Sequence, residues 1–129
     1  MVANTLLTDK RILVVEDEFF LMEDLCRDLQ DAGAVLVGPA PSVQQALALI
    51  ETEPAINAAI LDVNLGGEMA FPVAEALLRR EYPFVFTTGY SDSIFSGRYP
   101  DVPRVEKPAE FRHLAKALAA TMAGPQSSA

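Results

Sequence analysis

Residues 12–20, ILVVEDEFF, join an apolar run directly to three consecutive carboxylates. The run is continuous and rich in β-branched side chains, which is typical of a parallel strand that is covered on both faces. Apolar residues then recur at positions 22, 25, 26 and 29, the spacing of an amphipathic helix, and Gly33 is a natural end for that helix. The stretch therefore predicts a strand and a helix, with acidic groups at the carboxyl end of the strand.

Further apolar runs along the chain have the same character. Strands are predicted at residues 11–16, 34–39, 57–62, 84–88 and 104–106. Several of these runs are continuously apolar, as buried parallel strands are. Because helical patterns separate them, the sequence predicts an α/β protein whose parallel sheet has right-handed crossovers.

Five helices are predicted between and after the strands. The first is described above; the second begins after Ser42, where Gln45 completes a capping-box pattern. The third begins near Pro72 and the fifth covers residues 111–122. Residues 91–99 have little apolar periodicity, so the fourth helix is predicted to be short or mobile.

The composition is that of one globular domain with an acidic surface. The chain has 129 residues, half of them apolar, which is enough for one core. Residues 10–122 are predicted to form the domain, with a flexible N-terminus at 1–9 and a disordered tail at 123–129. A net charge of −8 argues against a surface that binds nucleic acid or anionic lipid, and favours a cation or a basic partner.

Three features predict a soluble, cytoplasmic protein. No apolar run reaches the roughly 18 residues of a membrane span, and the first positive charges follow a weakly apolar opening, which is the reverse of a signal peptide. Cys26, the single cysteine, cannot form an internal disulfide, which suits a reducing compartment.

The polar residues that interrupt the apolar pattern fall at the carboxyl ends of predicted strands. Glu16 and Asp17 end the first strand, Asp62 the third and Thr88 the fourth, while Lys107 follows the fifth. In parallel α/β sheets these ends meet at one edge, where ligands bind. Two carboxylates about 4 Å apart repel by roughly 4 kcal/mol at an effective dielectric of 20, so such a cluster favours a bound cation. Mg²⁺ prefers these oxygen ligands and leaves room for a phosphate, which Lys107 would neutralise.

Each of these residues also has a plain structural interpretation. Carboxylates before a helix commonly cap it. Taken singly, Asp62 is equally well a turn residue, Thr88 an ordinary strand residue and Lys107 a solvated loop lysine. Their common position at one edge of the predicted sheet favours a functional site.

Four segments resemble the motifs of response regulator receiver domains. LVVEDE is similar to the acidic-pair motif, ILDVNL to the phosphoacceptor motif, TTGY to the strand-four Thr motif and EKP to the Lys-Pro motif. The likeness extends from about residue 10 to residue 122. The resemblance implies a flavodoxin-like, doubly wound fold of strand order 2-1-3-4-5, and a cis peptide bond before Pro108.

The resemblance also implies a role for the acidic residues. Asp62 would accept a phosphoryl group from a histidine of a sensor kinase. Asp17, Asp62 and the backbone carbonyl of Asn64 would hold Mg²⁺, and Glu16 would act on the ion directly or through water. The chemistry is consistent, because a carboxylate can act as a nucleophile and phosphoryl transfer needs mainly positioning and charge neutralisation.

Further implied roles concern the phosphoryl oxygens and the signal. Thr88 would hydrogen bond to these oxygens, and Lys107 would pair with them. Many receivers carry a switch aromatic three residues before the Lys, where this chain has Arg104. Tyr90 is therefore predicted to be the ring that repacks, and Arg104 to be a charge on the partner-facing surface.

The segment PFVFTTGYSD is similar to a branch of single-domain receivers with a Phe-Ala-Thr-Gly-like motif in strand four. Members of that branch resemble partners of HWE-type sensor histidine kinases. The implied function is a stand-alone phosphoacceptor, not an enzyme beyond self-phosphorylation and self-dephosphorylation, that signals by protein contact or acts as a phosphate sink. A histidine phosphotransfer protein is an alternative partner, and a monomer or weak homodimer is expected.

Three other protein classes share part of this pattern. A Mg²⁺-dependent phosphohydrolase of the haloacid-dehalogenase type also places a nucleophilic Asp after a strand, but it requires a second Asp two residues later, where this chain has Asn64. A flavodoxin-like FMN carrier requires a phosphate loop rich in Ser, Thr and Gly, where this chain has EDEFF. An unphosphorylated protein-binding module has no need of acceptor, metal and Lys residues together.

Overall fold

The structure, a computed structural model, describes residues 6–89, 95 and 97–123. The strands are β1 (Arg11–Val15), β2 (Val35–Ala40), β3 (Ala58–Asp62), β4 (Asn64–Leu65), β5 (Glu68–Met69), β6 (Phe84–Thr88) and β7 (Arg104–Glu106). The helices are α1 (Phe19–Asp31), α2 (Val43–Thr52), α3 (Phe71–Arg79) and α4 (Phe111–Met122). In the described part of the chain, no helix combines the length and the apolar character that crossing a membrane requires.

Five of the strands form one parallel sheet in the order β2-β1-β3-β6-β7. Counted along this sheet the order is 2-1-3-4-5, so the flavodoxin-like fold implied by the resemblance is confirmed. β4 and β5 pair as a short antiparallel hairpin that the sequence did not predict, because strands of two residues have no detectable periodicity. The predicted fourth helix lies largely outside the described residues.

Local capping explains where α1 and α2 begin. The Ser42 hydroxyl accepts the backbone N–H of Gln45 at 3.1 Å, which confirms Ser42 as the cap of α2, and it donates to the Gln45 side-chain oxygen at 3.1 Å. The Glu18 carboxylate accepts the backbone N–H of Leu21 at 2.9 Å. The third carboxylate of the acidic run therefore caps α1 and has a structural role.

The sheet separates two apolar layers. Along β1, Leu13 and Val15 enter the layer formed with α2 and α3, whereas Ile12 and Val14 enter the layer formed with α1 and α4. Every residue of β3 and β6 is buried, as expected for central strands that are covered on both faces. The two layers hold the strand ends that carry the polar residues in fixed relative positions.

Residues 6–9 pack on the domain, so the predicted flexible N-terminus over residues 1–9 does not include them; residues 1–5 lie outside the described part of the chain. Leu7 is 1% exposed and belongs to the layer formed with α1 and α4. The backbone N–H of Asp9 donates to the carbonyl oxygen of Gly33 at 2.8 Å. Residues 6–9 are therefore part of the domain, because one long-range apolar contact, which no local pattern reveals, attaches them.

Replacement Leu7→Ala should lower the free energy of unfolding by about 2–5 kcal/mol, because it removes buried methyl groups and leaves a cavity. Leu6→Ala is the matched control: Leu6 is 52% exposed, and its truncation should change stability by less than about 0.5 kcal/mol. Urea unfolding followed by circular dichroism measures both variants. Small and equal effects would show that Leu7 is not buried in solution.

Candidate functional site

An open cleft of about 520 Å³ lies at the carboxyl ends of the central strands. Its lining residues are Glu16, Asp17, Glu18, Asp62, Asn64, Gly66, Gly67, Gly89 and Lys107. Five of the predicted site residues are in this set, although they come from three separate segments of the sequence. The strand order accounts for this, because β1 and β3 are neighbours in the sheet.

Three carboxylates crowd one side of the cleft. Glu16, Asp17 and Asp62 each offer an oxygen, and these oxygens all lie within 4.8 Å of one another. Glu16 is 4% exposed and Asp62 is 5% exposed, whereas Asp17 is exposed. Burial raises the pKa of Glu16 above its usual value; the nearby Asp62 raises it further, while a hydrogen bond from the backbone of Glu18 opposes the shift. The cluster is thus short of positive charge.

Lys107 supplies part of that charge. Its ammonium nitrogen lies 2.9 Å from Oδ2 of Asp62 and 3.2 Å from Oε1 of Glu16. Burial acts to lower the pKa of Lys107, but the hydrogen bonds and charges of Asp62 and Glu16 outweigh burial, and the pKa is raised overall. The ammonium therefore stays protonated at neutral pH. The bond between Lys107 and Pro108 is cis, as the resemblance implied.

The loop after Asp62 is shaped by short hydrogen bonds. The backbone N–H of Asn64 donates to Oδ1 of Asp62 at 3.2 Å, and the Asn64 side-chain oxygen accepts the backbone N–H of Gly67 at 2.7 Å. Gly66 has a φ of +63°, and a Cβ there would stand 3.3 Å from a carboxylate oxygen of Asp17. Glycine is favoured at this position because it tolerates the left-handed backbone and leaves the Asp17 carboxylate uncovered.

The end of β6 links the acceptor strand to β7. Thr87 pairs in register with Asp62, and its carbonyl oxygen accepts the backbone N–H of Val63 at 3.1 Å. Thr88 is 3% exposed, and its carbonyl oxygen accepts the backbone N–H of Lys107 at 2.9 Å. Thr88 therefore lies at the end of β6, next to Gly89, which lines the cleft.

The structure describes one of the two residues predicted to take part in the switch. Tyr90 lies outside the described residues. Arg104 is half-buried and its side chain turns inward, while its place on a partner-facing surface stays a prediction. Its guanidinium carbon stands 3.9 Å from the centre of the Phe95 ring, and the group donates to the carbonyl oxygens of Arg98 at 2.8 Å and Tyr99 at 3.3 Å. The side chain turns inward because the Phe95 ring stabilises its charge and main-chain oxygens accept hydrogen bonds from its Nη2 group.

Residues that the sequence did not single out surround Arg104. The rings of Phe71, Phe86, Phe95 and Tyr99 contact one another on the side of the sheet that faces α3. The only sequence signal for them is the spacing of aromatic residues between positions 71 and 99, which predicts a core as readily as a site.

The donor set of the cleft fits a hard divalent cation. All of its candidate ligands are carboxylate or carbonyl oxygens, the type that Mg²⁺ prefers, and the exposed Asp17 gives access from solvent. A nearly buried carboxylate beside an ammonium and such an ion is also suited to accept a phosphoryl group, because both cations neutralise the oxygens that arrive.

Comparisons with known proteins identify the family of the chain. No family model matches the sequence, and no curated protein matches it either. Solved structures do match. The chain is 46% identical to SdrG from Pseudomonas melonis Fr1, solved in its BeF3-activated conformation, with a TM-score of 0.74 over 89% of this chain and 98% of that one.

Two more distant structures have the same fold. A response regulator receiver protein from Sinorhizobium medicae WSM419 is 23% identical, with a TM-score of 0.80 over 90% of this chain and 96% of that one. A CheY-like response regulator receiver domain protein from Methanospirillum hungatei JF-1 is 24% identical, with a TM-score of 0.79 over 95% of this chain and all of that one. With the identity to SdrG, the fold and the cleft together establish that the chain belongs to the response regulator receiver domains.

Proposed function

We propose that the chain accepts a phosphoryl group from a sensor histidine kinase onto Asp62, in a reaction that depends on Mg²⁺. The observation that carries the proposal is the surroundings of the Asp62 carboxylate, which is 5% exposed and lies 2.9 Å from the Lys107 ammonium. A structural ion pair would need only these two groups. The further carboxylates of Glu16 and Asp17 make the site costly unless it serves to hold a cation.

The transfer exchanges one bond at phosphorus for another. An oxygen of Asp62 attacks the phosphorus of a phosphohistidine, so that a P–O bond forms, the P–N bond breaks and the electron pair remains on the imidazole nitrogen. Lys107 is held where the phosphoryl oxygens arrive, and the Thr88 hydroxyl is proposed to bind one of them. These residues act by positioning and by neutralising charge, which is most of what phosphoryl transfer requires.

The same proposal assigns the metal ligands. Asp17, Asp62 and the backbone carbonyl of Asn64 would hold Mg²⁺, and Glu16 would act directly or through water. When bound, the ion would neutralise charge on the carboxylates and on the phosphoryl group.

The proposed partner is a sensor histidine kinase, of the HWE type, or a histidine phosphotransfer protein. Support for phosphorylation comes from the 46% identity to SdrG, which has been solved in a conformation activated by BeF3, a phosphoryl mimic. A net charge of −8 suits a basic partner surface. The signal would pass by direct protein contact, or the domain would serve as a phosphate sink, in the cytoplasm and as a monomer or weak homodimer.

A haloacid-dehalogenase-type hydrolase is less well supported. That chemistry needs an acid two residues after the nucleophile, and Asn64 occupies this position. Its side-chain oxygen accepts the backbone N–H of Gly67 at 2.7 Å, so the side chain fixes the loop. An amide has no titratable proton to donate to a leaving group.

Replacement Asp62→Asn should abolish covalent labelling by acetyl phosphate and by a cognate kinase, because the amide is not a nucleophile of comparable strength. Asp24→Asn is the control: Asp24 is exposed and pairs with Arg27 on α1, so labelling should be unchanged. Phosphate-affinity gels and intact-protein mass spectrometry measure the adduct. Undiminished labelling of the Asp62 variant would refute the assignment of the acceptor.

Replacement Asp17→Asn should remove the stabilisation that excess Mg²⁺ confers on the native protein, because bound ligand stabilises only the state that binds it. In EDTA the variant should be more stable than the unchanged chain by up to about 1 kcal/mol, since one repelling but exposed charge is lost. Urea unfolding with EDTA or with excess Mg²⁺ gives both values. Asp31→Asn, an exposed residue at the end of α1, should leave the Mg²⁺ effect intact. If Mg²⁺ stabilised the native chain and the Asp17→Asn variant equally, the assignment of Asp17 as a metal ligand would be contradicted.

A further inference from the structure

A short hairpin follows Asp62 at the mouth of the cleft. β4 and β5 pair so that Leu65 lies opposite Glu68, which leaves Gly66 and Gly67 as a two-residue turn. Both glycines have a positive φ, +63° and +97°, as a type I′ turn requires, and this turn type suits the twist of a hairpin. The tip of the hairpin therefore has one defined shape.

The side chain of Asn64 closes this turn. Its amide oxygen accepts the backbone N–H of Gly67 at 2.7 Å. Leu65, which is 5% exposed, anchors the hairpin in the apolar layer formed with α2 and α3. With only two residues in each strand, however, the hairpin makes few main-chain bonds of its own, and such short ribbons are marginally stable. The side-chain bond is therefore one of the few contacts that fix the turn.

The main chain of Asn64 faces the Asp62 side chain. The backbone N–H of Ala70 donates to the carbonyl oxygen of Val63 at 2.8 Å, and bonded and non-bonded pairs alternate along an antiparallel ladder. Asn64 therefore belongs to a non-bonded pair, and its N–H donates to Oδ1 of Asp62 at 3.2 Å instead. Because the N–H and C=O of one strand residue point to the same side, the Asn64 carbonyl also faces the Asp62 side of the hairpin.

The tip of the hairpin lies close to a second carboxylate of the cleft. A Cβ at Gly66 would stand 3.3 Å from Oδ2 of Asp17. Asp17 and Asp62 belong to the carboxylate cluster whose oxygens lie within 4.8 Å of one another. The hairpin thus extends from one proposed metal ligand to another, and a shift of the turn would change the space between these ligands.

We propose that Asn64 is a positioning residue that gives the cleft a preference for Mg²⁺ over Ca²⁺. The inference rests on the proposed function, in which the Asn64 carbonyl is a metal ligand. By holding the turn, the Asn64 side chain fixes its own carbonyl relative to the carboxylates of Asp17 and Asp62. Mg²⁺ demands near-ideal octahedral geometry with short bonds, whereas Ca²⁺ accepts longer bonds and irregular geometry. A fixed carbonyl favours the smaller ion, and release of the carbonyl reduces that preference.

The test removes the side-chain oxygen of Asn64. Asn64→Ala should bind Mg²⁺ about tenfold more weakly than the native chain, because loss of a bond that orients a metal ligand typically costs roughly 10–100-fold in affinity. Its affinity for Ca²⁺ should fall less than about threefold, since the shell of that ion adjusts to a displaced ligand. Amide NMR titrations with magnesium chloride and with calcium chloride, at constant ionic strength, give both dissociation constants.

Asn57→Ala is the matched control. The side-chain oxygen of Asn57 also accepts a backbone N–H at 2.7 Å, that of Arg11, but Asn57 precedes β3 and lies at the opposite end of the sheet. The control should lose stability in urea and keep both metal affinities. A similar loss of Mg²⁺ affinity in the control would show that affinity follows overall stability, which overturns the positioning role.

Gly67→Ala disturbs the same turn by a different chemical change. A Cβ at this position meets no atom within 4 Å, so the methyl group fits, but the φ of +97° is strained for alanine. The variant should lose preference for Mg²⁺ in the same direction as Asn64→Ala. Urea unfolding confirms that each variant is folded before its affinities are compared.

The possible results separate this inference from the proposed function. Unchanged Mg²⁺ affinity in folded Asn64→Ala, an equal loss for Mg²⁺ and Ca²⁺, or native preference in folded Gly67→Ala overturns the positioning role and leaves the proposed function standing. A native chain that binds both ions equally does the same. If the native chain binds Mg²⁺ no more tightly than Asp17→Asn does, the assigned metal site falls, and this inference falls with it.

Discussion

Repulsion among three carboxylates is the constraint around which this domain is arranged. Glu16, Asp17 and Asp62 are brought together by neighbouring strands, and two of them are nearly buried. Lys107 lies against Glu16 and Asp62, so it offsets part of the repulsion and leaves Asp17 facing solvent. A site with this balance of charge favours a cation, and positioning with charge neutralisation is most of what the proposed phosphoryl transfer requires.

The sheet order makes this crowding and its compensation possible. β6 lies between β3 and β7, so Lys107 must reach across the end of β6 to contact Asp62. That end carries Thr87, Thr88 and Gly89, whose side chains are short or absent. The carboxylates at the ends of β1 and β3 and the ammonium that follows β7 therefore meet at one edge of the sheet.

Arg104 is held in place by several contacts. A guanidinium held over Phe95 and bonded to two carbonyl oxygens cannot rotate as freely as an unattached aromatic ring. Tyr99 adds a strained backbone, stabilised by stacking on Phe71 and by Glu75. Strain of this kind persists only where surrounding contacts impose it, and a change in those contacts releases it.

Local periodicity and hydrogen bonds between close residues were sufficient to predict the five strands of the main sheet, the four described helices, and the placement of Asp62 and Lys107 at strand ends. Strand order came only from the family resemblance. The burial of Leu7, the short hairpin after Asp62 and the inward turn of Arg104 were decided by the tertiary structure. Each depends on contacts between segments far apart in the chain; the bond from Lys107 to Asp62, for example, spans 45 positions. Local patterns indicate which face of a helix or strand is apolar. Only packing in the folded chain determines which distant side chain contacts that face.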